Sequence, residues 1–276
     1  MGTPWDALAC ARALESNALA YGLALTEAGG GQVLRQEDAI LTVLPFDYFT
    51  NGVHLPRFSP ATARQRIEEI LGLFRTWDLG VRFRLGPSSQ LPDLATFFQR
   101  PRFSRRTLPY MACLLSQARV DFPVPPGLHV HTVDDYRVFL QRPHPMYGLF
   151  QGRTSRTLLD IFQTLAQQQP RRHWTFVAAR EGQFVASAEL YLHEQHVSGR
   201  GFVVLKPYRR QGIGAAMLQA MYTLALEQGA ELAVLGASGM GTRFYPHFGF
   251  RHVGDYLIFS CNRQRLRRFV DGGGAG

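Results

Sequence analysis

The chain has 276 residues, of which 46% are hydrophobic and 18% charged, and its formal net charge of +9 is carried almost wholly by arginine, with Lys206 the single lysine. That length fits one large domain or two ordinary ones, and the apolar content excludes wholesale disorder. Apolar runs such as Ala186–Leu192, broken by Glu189, fall far short of the ~20 residues a membrane-spanning helix needs, so no membrane segment is predicted.

Cys10, Cys113 and Cys261 are odd in number, far apart and without ligand spacing. They predict neither a disulfide framework nor a metal site. Met1–Ala9 lacks a basic segment ahead of an apolar core, so no cleaved secretory signal is expected and a reducing cytoplasm is the default location. The arginines are dispersed and lack interleaved stacking aromatics, which argues against a nucleic-acid partner. The charge and the Arg263–Arg268 cluster keep a modifier of a nucleic-acid-bound target as a third reading.

Along the chain, the first half offers a helical stretch at Arg64–Leu73, then Leu85-Gly86-Pro87-Ser88, and later Phe97-Phe98 followed by Phe103. Three prolines within Val120–Gly127 stiffen an extended connection, and the domain boundary is placed there. The expected division is 1–125, 126–270 and a disordered glycine-rich tail over 271–276. In the second half a strand is expected near Leu128–Thr132, helices at Asp134–Leu140 and Ser155–Gln168, and strands at Trp174–Arg180 and Gln183–Leu192 joined by the turn Glu181-Gly182. A third antiparallel strand, Val197–Leu205, precedes a helix over Ile213–Gln228 that stops at Gly229. A buried strand, Leu232–Leu235, then leads to a short helix and the turn Phe248-Gly249-Phe250, with a basic segment Asn262–Phe269 behind the last strand. This order predicts an α/β protein with a mixed sheet whose central β-α-β unit is parallel.

Two segments carry chemistry. In Val203-Val204-Leu205-Lys206-Pro207-Tyr208-Arg209-Arg210-Gln211-Gly212-Ile213-Gly214 a strand runs through a glycine turn directly onto a helix. Its backbone amides and helix dipole favour phosphate oxygens. Alone, such a turn is more often a cap than a ligand site. It is neither a GxxxxGK[ST] loop nor a full GxGxxG fingerprint, so ATP and NAD are poor candidates. The second segment is Leu235-Gly236-Ala237-Ser238-Gly239-Met240-Gly241-Thr242-Arg243-Phe244-Tyr245-Pro246-His247-Phe248-Gly249-Phe250.

Arg209-x-x-Gly212-x-Gly214 resembles the pyrophosphate motif of the GNAT superfamily of acyl-CoA N-acyltransferases. Ser238, Gly241, Phe244-Tyr245 and Gly249-Phe250 are similar to its other signature, and the resemblance covers roughly Val130–Ile258. Pro207 departs from the pattern, in which proline usually stands one position earlier. The resemblance implies a mixed, mostly antiparallel sheet flanked by helices and acetyl-CoA as co-substrate. It implies that the pantetheine arm pairs with the edge Val203–Leu205, that an amide of Val203 or Val204 stabilises the oxyanion, and that pyrophosphate lies on the amides of Gln211, Gly212, Ile213, Gly214 and Ala215. Arg209 and Arg210 would supply charge, Ser238 would line the cofactor site, and Tyr245 would act as general acid; the bland alternative for Tyr245 is a core aromatic. Where some relatives carry a strand carboxylate, Val197-Ser198-Gly199-Arg200-Gly201 has none. Glu189, Glu194 and His196 are substitutes for the general base, Glu189 first.

The first half repeats this pattern faintly, without a phosphate glycine in Phe58–Arg64 and without the hydroxyl at Phe98. It is read as a degenerate, non-catalytic GNAT-like domain in tandem with the working one, against the alternative that two α/β domains merely pack alike. Asp47–Asn51 and Arg100–Arg106 are candidates for a wall of the acceptor cleft. The predicted function is acetyl transfer from acetyl-CoA to a primary amine, by a monomer or homodimer with no membrane partner. The competing reading is a non-catalytic acyl-CoA-binding or interaction module of the same fold.

Overall fold

The computed structural model describes residues 6–46, 50–89, 98, 103–119, 121–141 and 153–271. Parts of the proposed cleft wall (47–49 and 100–102), Phe97 of the aromatic echo, and the tail 272–276 lie outside them. The strands are β1 (Gln32–Arg35), β2 (Ile40–Val43), β3 (Gly52–His54), β4 (Val81–Leu85), β5 (Ser104–Leu114), β6 (Leu128–Val133), β7 (His173–Arg180), β8 (Gln183–His193), β9 (His196–Val204), β10 (Leu232–Gly236) and β11 (Arg251–Cys261). The α-helices are α1 (Ala7–Ala28), α2 (Ala63–Thr76), α3 (Val138–Gln141), α4 (Arg153–Gln167), α5 (Ile213–Glu227), α6 (Gly241–Phe244) and α7 (Arg263–Asp271).

These elements form two compact units, each discontinuous in sequence: 1–21 with 109–254, and 22–108 with 255–276. The division expected at 125/126 does not coincide with them. The reason is hydrogen bonding: β10 pairs with β5 from the first half, while Leu257–Cys261 of β11 pair with β4. Each unit therefore completes its sheet with a strand from the other half of the chain.

In the first unit the strand order is β5-β10-β9-β8-β7-β6, antiparallel except for β9 with β10. The β7–β8 turn has Glu181 at φ 50° and Gly182 at φ 76°, the double positive φ of a tight primed hairpin. One sheet face packs on α5, which buries Ile213, Met217, Leu218, Met221, Tyr222 and Ala225 at helical spacing. Gly229, at φ 75°, ends it, with the Ala230 amide returning to Ala225 C=O at 2.9 Å. On α1, Asp6 Oδ1 accepts the amides of Leu8 at 2.9 Å and Ala9 at 3.3 Å, an N-cap. The helix expected over Asp134–Leu140 is confined to Val138–Gln141. Asp135 instead accepts the Arg137 amide at 3.0 Å and its guanidinium at 2.8 Å, a local bond that competes with helix.

The second unit repeats the pattern: order β1-β2-β3-β4-β11, antiparallel except for β3 with β4. Its core joins Ile67, Ile70 and Phe74 of α2 to Phe83, Phe98 and Phe259. The basic segment after β11 is helix α7, capped by Asn262 Oδ1 on the Arg265 amide at 2.8 Å.

Candidate active site

The site begins where two parallel strands part. β10 pairs with β9 only from Leu232↔His196 to Val234↔Ser198. Among the described residues, β9 is paired from Gly199 to Val204 on its β8 side alone, with a bulge at Gly201, φ 53°. Successive residues of a strand turn their N–H and C=O to opposite sides. The Leu205 amide bonds Val185 C=O at 2.9 Å, toward β8, so alternation turns Val204 and Phe202 toward the gap and Val203 away from it. Arg209 Nε donates to the Val204 carbonyl at 2.9 Å and ties the following loop to the strand.

That loop folds as the sequence requires. Arg210 takes φ 61° and Gly212 φ 77°, and a Cβ on Gly212 would also come within 3.2 Å of Pro125 Cγ. Gln211 accepts from Arg180 at 2.8 Å and donates to Pro207 C=O at 3.1 Å. The first amide paired in helical fashion is that of Ala216, to Gly212 C=O at 3.1 Å. The amides of 211–215 ahead of it form the unpaired positive end of the helix. Gly214 lets Phe244 pack against this turn; a Cβ there would lie 3.1 Å from the ring.

Strand edge, loop and helix start enclose a cavity of about 290 Å³. Val203, Val204, Arg209, Arg210, Gly214, Ser238 and Tyr245 all line it. Leu205, Gln211, Gly212 and Ala215 contribute backbone to the same turn, and Ile213 turns its side chain into the core. Ser238 Oγ accepts the Gly241 amide at 3.3 Å and so starts α6. Gly241 is bare because a Cβ there would come 2.8 Å from Cε2 of Tyr245. Phe202, Phe244 and Phe250 surround the Tyr245 ring at 5.2–6.3 Å. Burial pushes the Tyr245 phenol up to about 12, so it stays protonated at neutral pH.

Glu189 is elsewhere on the sheet, on the face away from α5. It pairs across the sheet with Thr175 and Arg200, accepts from Tyr21 O–H at 2.5 Å, and lies 3.5 Å from His173 Nε2. The Arg200 guanidinium stacks 4.3 Å from the Tyr21 ring and reaches Asn17 Oδ1 at 3.3 Å. Burial holds it below its ordinary pKa range, against the opposing pull of Tyr21, Glu189 and Tyr110. Asn17 donates to the carbonyls of Tyr191 and His196, both at 3.1 Å. Sequence reasoning missed Asn17, Tyr21 and His173. The available signal was the i, i+4 spacing of Asn17 and Tyr21 within an otherwise apolar stretch. Glu194 and His196 sit at the β8–β9 turn, roughly 25 Å along β9 from Val204 at ~3.3 Å per residue. They do not join the cavity.

The turn that follows β3 in the second unit is built differently. After β3, the amides of Thr62 and Ala63 both bond Ser59 C=O, at 3.1 and 2.8 Å. Phe98, at the position echoing Tyr245, is buried and stacks on Phe259 at 4.4 Å.

Residues 171–252 match the sequence profile of the Acetyltransferase (GNAT) domain. No curated protein matches the chain. Among solved structures, the fold is similar to a GCN5-related N-acetyltransferase from Kribbella flavida at 18% identity and TM-score 0.64, covering 90% of this chain and 95% of that one. It is also similar to a GCN5-related N-acetyltransferase from Sphaerobacter thermophilus at 17% identity and TM-score 0.58, over 95% and 94% of the two chains. A tandem GNAT protein from the clavulanic acid biosynthesis pathway matches at 16% identity and TM-score 0.55, over 84% and 82%. At these identities the likeness is one of fold.

Proposed function

We propose, on the premise that the chain belongs to the GNAT superfamily through residues 171–252, that it is an N-acetyltransferase moving an acetyl group from acetyl-CoA to a primary amine within a ternary complex. One observation carries this reading. An unpaired strand edge, unpaired helix-start amides and a protonated tyrosine meet in one cavity.

The amides of 211–215 receive the pyrophosphate, with Arg209 and Arg210 adding charge. The open-side amides of Val204 and Phe202 take the pantetheine arm and the thioester oxygen, while Val203 packs beneath. Ser238 supports the wall from which Tyr245 projects. The amine nitrogen attacks the thioester carbon, a C–N bond forms and the C–S bond breaks. Tyr245 gives its proton to the departing thiolate. The amine loses one proton, for which Glu189, reached through water, is the proposed acceptor, and a proton returned to Tyr245 closes the cycle. The products are the amide and free CoA thiol. The half containing the second unit's glycine-free turn is proposed to be non-catalytic.

A second reading, a non-catalytic acyl-CoA binder, is favoured by the missing carboxylate over 197–201. Calorimetric titration of acetyl-CoA into the wild type and a Gly212→Asp, Gly214→Asp double variant tests the common premise: binding present in the first and lost in the second. CoA-thiol release on adding an amine separates the two readings. A folded wild type that does not bind acetyl-CoA refutes both.

A further inference from the structure

The face of the sheet turned away from α5 is unusually polar for a covered surface. Across β7, β8 and β9, one row reads His173, Tyr191, Ser198 and the next Thr175, Glu189, Arg200. All are buried except Arg200, which is partly so. Groups taken out of water in this way normally find partners. Tyr136 O–H meets Thr175 Oγ1 at 2.6 Å, and Glu189 is met by Tyr21, His173 and the Arg200 charge. The buried atoms here without a hydrogen-bond partner among the described residues include Arg200 Nε, Ser187 Oγ and His173 Nδ1. Ser187 belongs to the row beyond Glu189, diagonal to Arg200.

The place matters as much as the count. Arg200 lies on the stretch of β9 that β10 has left. It is also within electrostatic reach of Tyr110, which pairs with Gly236 at the end of β10 beyond the gap. By register Arg200 thus stands at the gap, on the sheet face opposite α5, with its guanidinium against Tyr21 and Asn17 of α1. The unmet capacity there includes two hydrogen-bond donors, Arg200 Nε–H and Ser187 Oγ–H. The one carboxylate of these rows, Glu189, is already engaged by Tyr21 and His173, so the rows themselves offer a cationic acceptor no free anion. A guanidinium with a vacant Nε–H suits a carboxylate above other partners.

We infer that the acceptor is a small amine bearing a carboxylate, of the amino-acid class, and that Arg200, assisted by Ser187, binds that carboxylate beneath the gap between β9 and β10. The inference rests on the acyl-transfer reading above. It leaves the reaction unchanged and fixes what stands beside the nucleophilic nitrogen.

The test uses the full-length protein at saturating acetyl-CoA, with CoA-thiol release followed for matched pairs of α-amino acids and their carboxamides. A polyamine and an aminoglycoside serve as carboxylate-free arms. A charge-assisted contact predicts kcat/KM at least ~10-fold higher for the acid than for its amide. Arg200→Gln brings the acid-to-amide ratio of kcat/KM close to one through the KM of the acid, any loss common to both pair members reporting its contact with Glu189 instead, and Arg200→Lys restores part of the ratio. Because the preference is a ratio within one protein sample, a partly unfolded variant does not imitate its loss. Equal turnover of acid and amide, better turnover of the polyamine or aminoglycoside, or equal loss of both pair members in Arg200→Gln overturns the inference. Acetyl-CoA binding without turnover of any amino acid also overturns it, alone. Absence of acetyl-CoA binding sinks the acyl-transfer reading itself.

Discussion

Replacing Tyr245 by phenylalanine isolates one oxygen. The ring is held from several sides by Phe202, Phe244 and Phe250, and by the bare Cα of Gly241. Tyr245→Phe therefore keeps the packing. Burial alone accounts for the raised phenol pKa of about 12, and among the described residues no hydrogen bond to the hydroxyl is lost, so thermal stability should change by less than ~0.5 kcal/mol. General acid catalysis contributes roughly 10²–10⁴ in rate, or about 3–5 kcal/mol of barrier at 1.36 kcal/mol per tenfold. The expected result is a fall in kcat of that size, with acetyl-CoA affinity within threefold of wild type and an unchanged melting curve. Because the phenol stays protonated up to about 12, wild-type kcat should also show no basic limb from Tyr245 below pH 10. The assay is CoA-thiol release with any amine that supports wild-type turnover. A Tyr245→Phe variant within threefold of wild type in kcat refutes the role of this hydroxyl.

Gly241→Ala should lower kcat without weakening acetyl-CoA binding in calorimetry, since its Cβ meets the Tyr245 ring at 2.8 Å and must displace it. Phe259→Ala removes the ring stacked on Phe98 and should cost about 3–5 kcal/mol in urea denaturation followed by a probe in the second unit. His54 is fully buried beside Arg84, and burial first, then Arg84, holds its pKa well below 6.5. The unfolded chain then binds the extra proton, so stability is lost as pH falls below about 6.5. Acid titration of unfolding should show a shallower slope in His54→Gln, and parallel curves would contradict that assignment.

Much of the first unit was legible because its punctuation is local. Glu181-Gly182 fixed a hairpin, Gly229 stopped α5, and Gly212 with Gly214 marked the turn that does bring unpaired amides to a cavity. Asp135 misled, since its carboxylate diverts the backbone that the apolar pattern assigned to helix. α1 was overlooked because it is apolar nearly all round and gives little helical contrast, and with it went Asn17 and Tyr21. Arg200 stood in view as a missing carboxylate. Its significance depends on where β10 leaves β9, which no spacing records. Nor can a sequence announce that β4 takes its partner from Leu257–Cys261, because strand pairing at long range leaves no periodic trace.

The same exchange has a consequence for the order in which a ribosome delivers this protein. Domains generally fold as they emerge, the earliest first. Here residues 22–108 emerge early, yet Val81–Leu85 waits for Leu257–Cys261 to cover its second edge. The unit containing the candidate active site needs nothing beyond residue 254. The half translated first is thus the half finished last, and during elongation it carries an uncapped strand bearing Val81 and Phe83, a template for stray pairing.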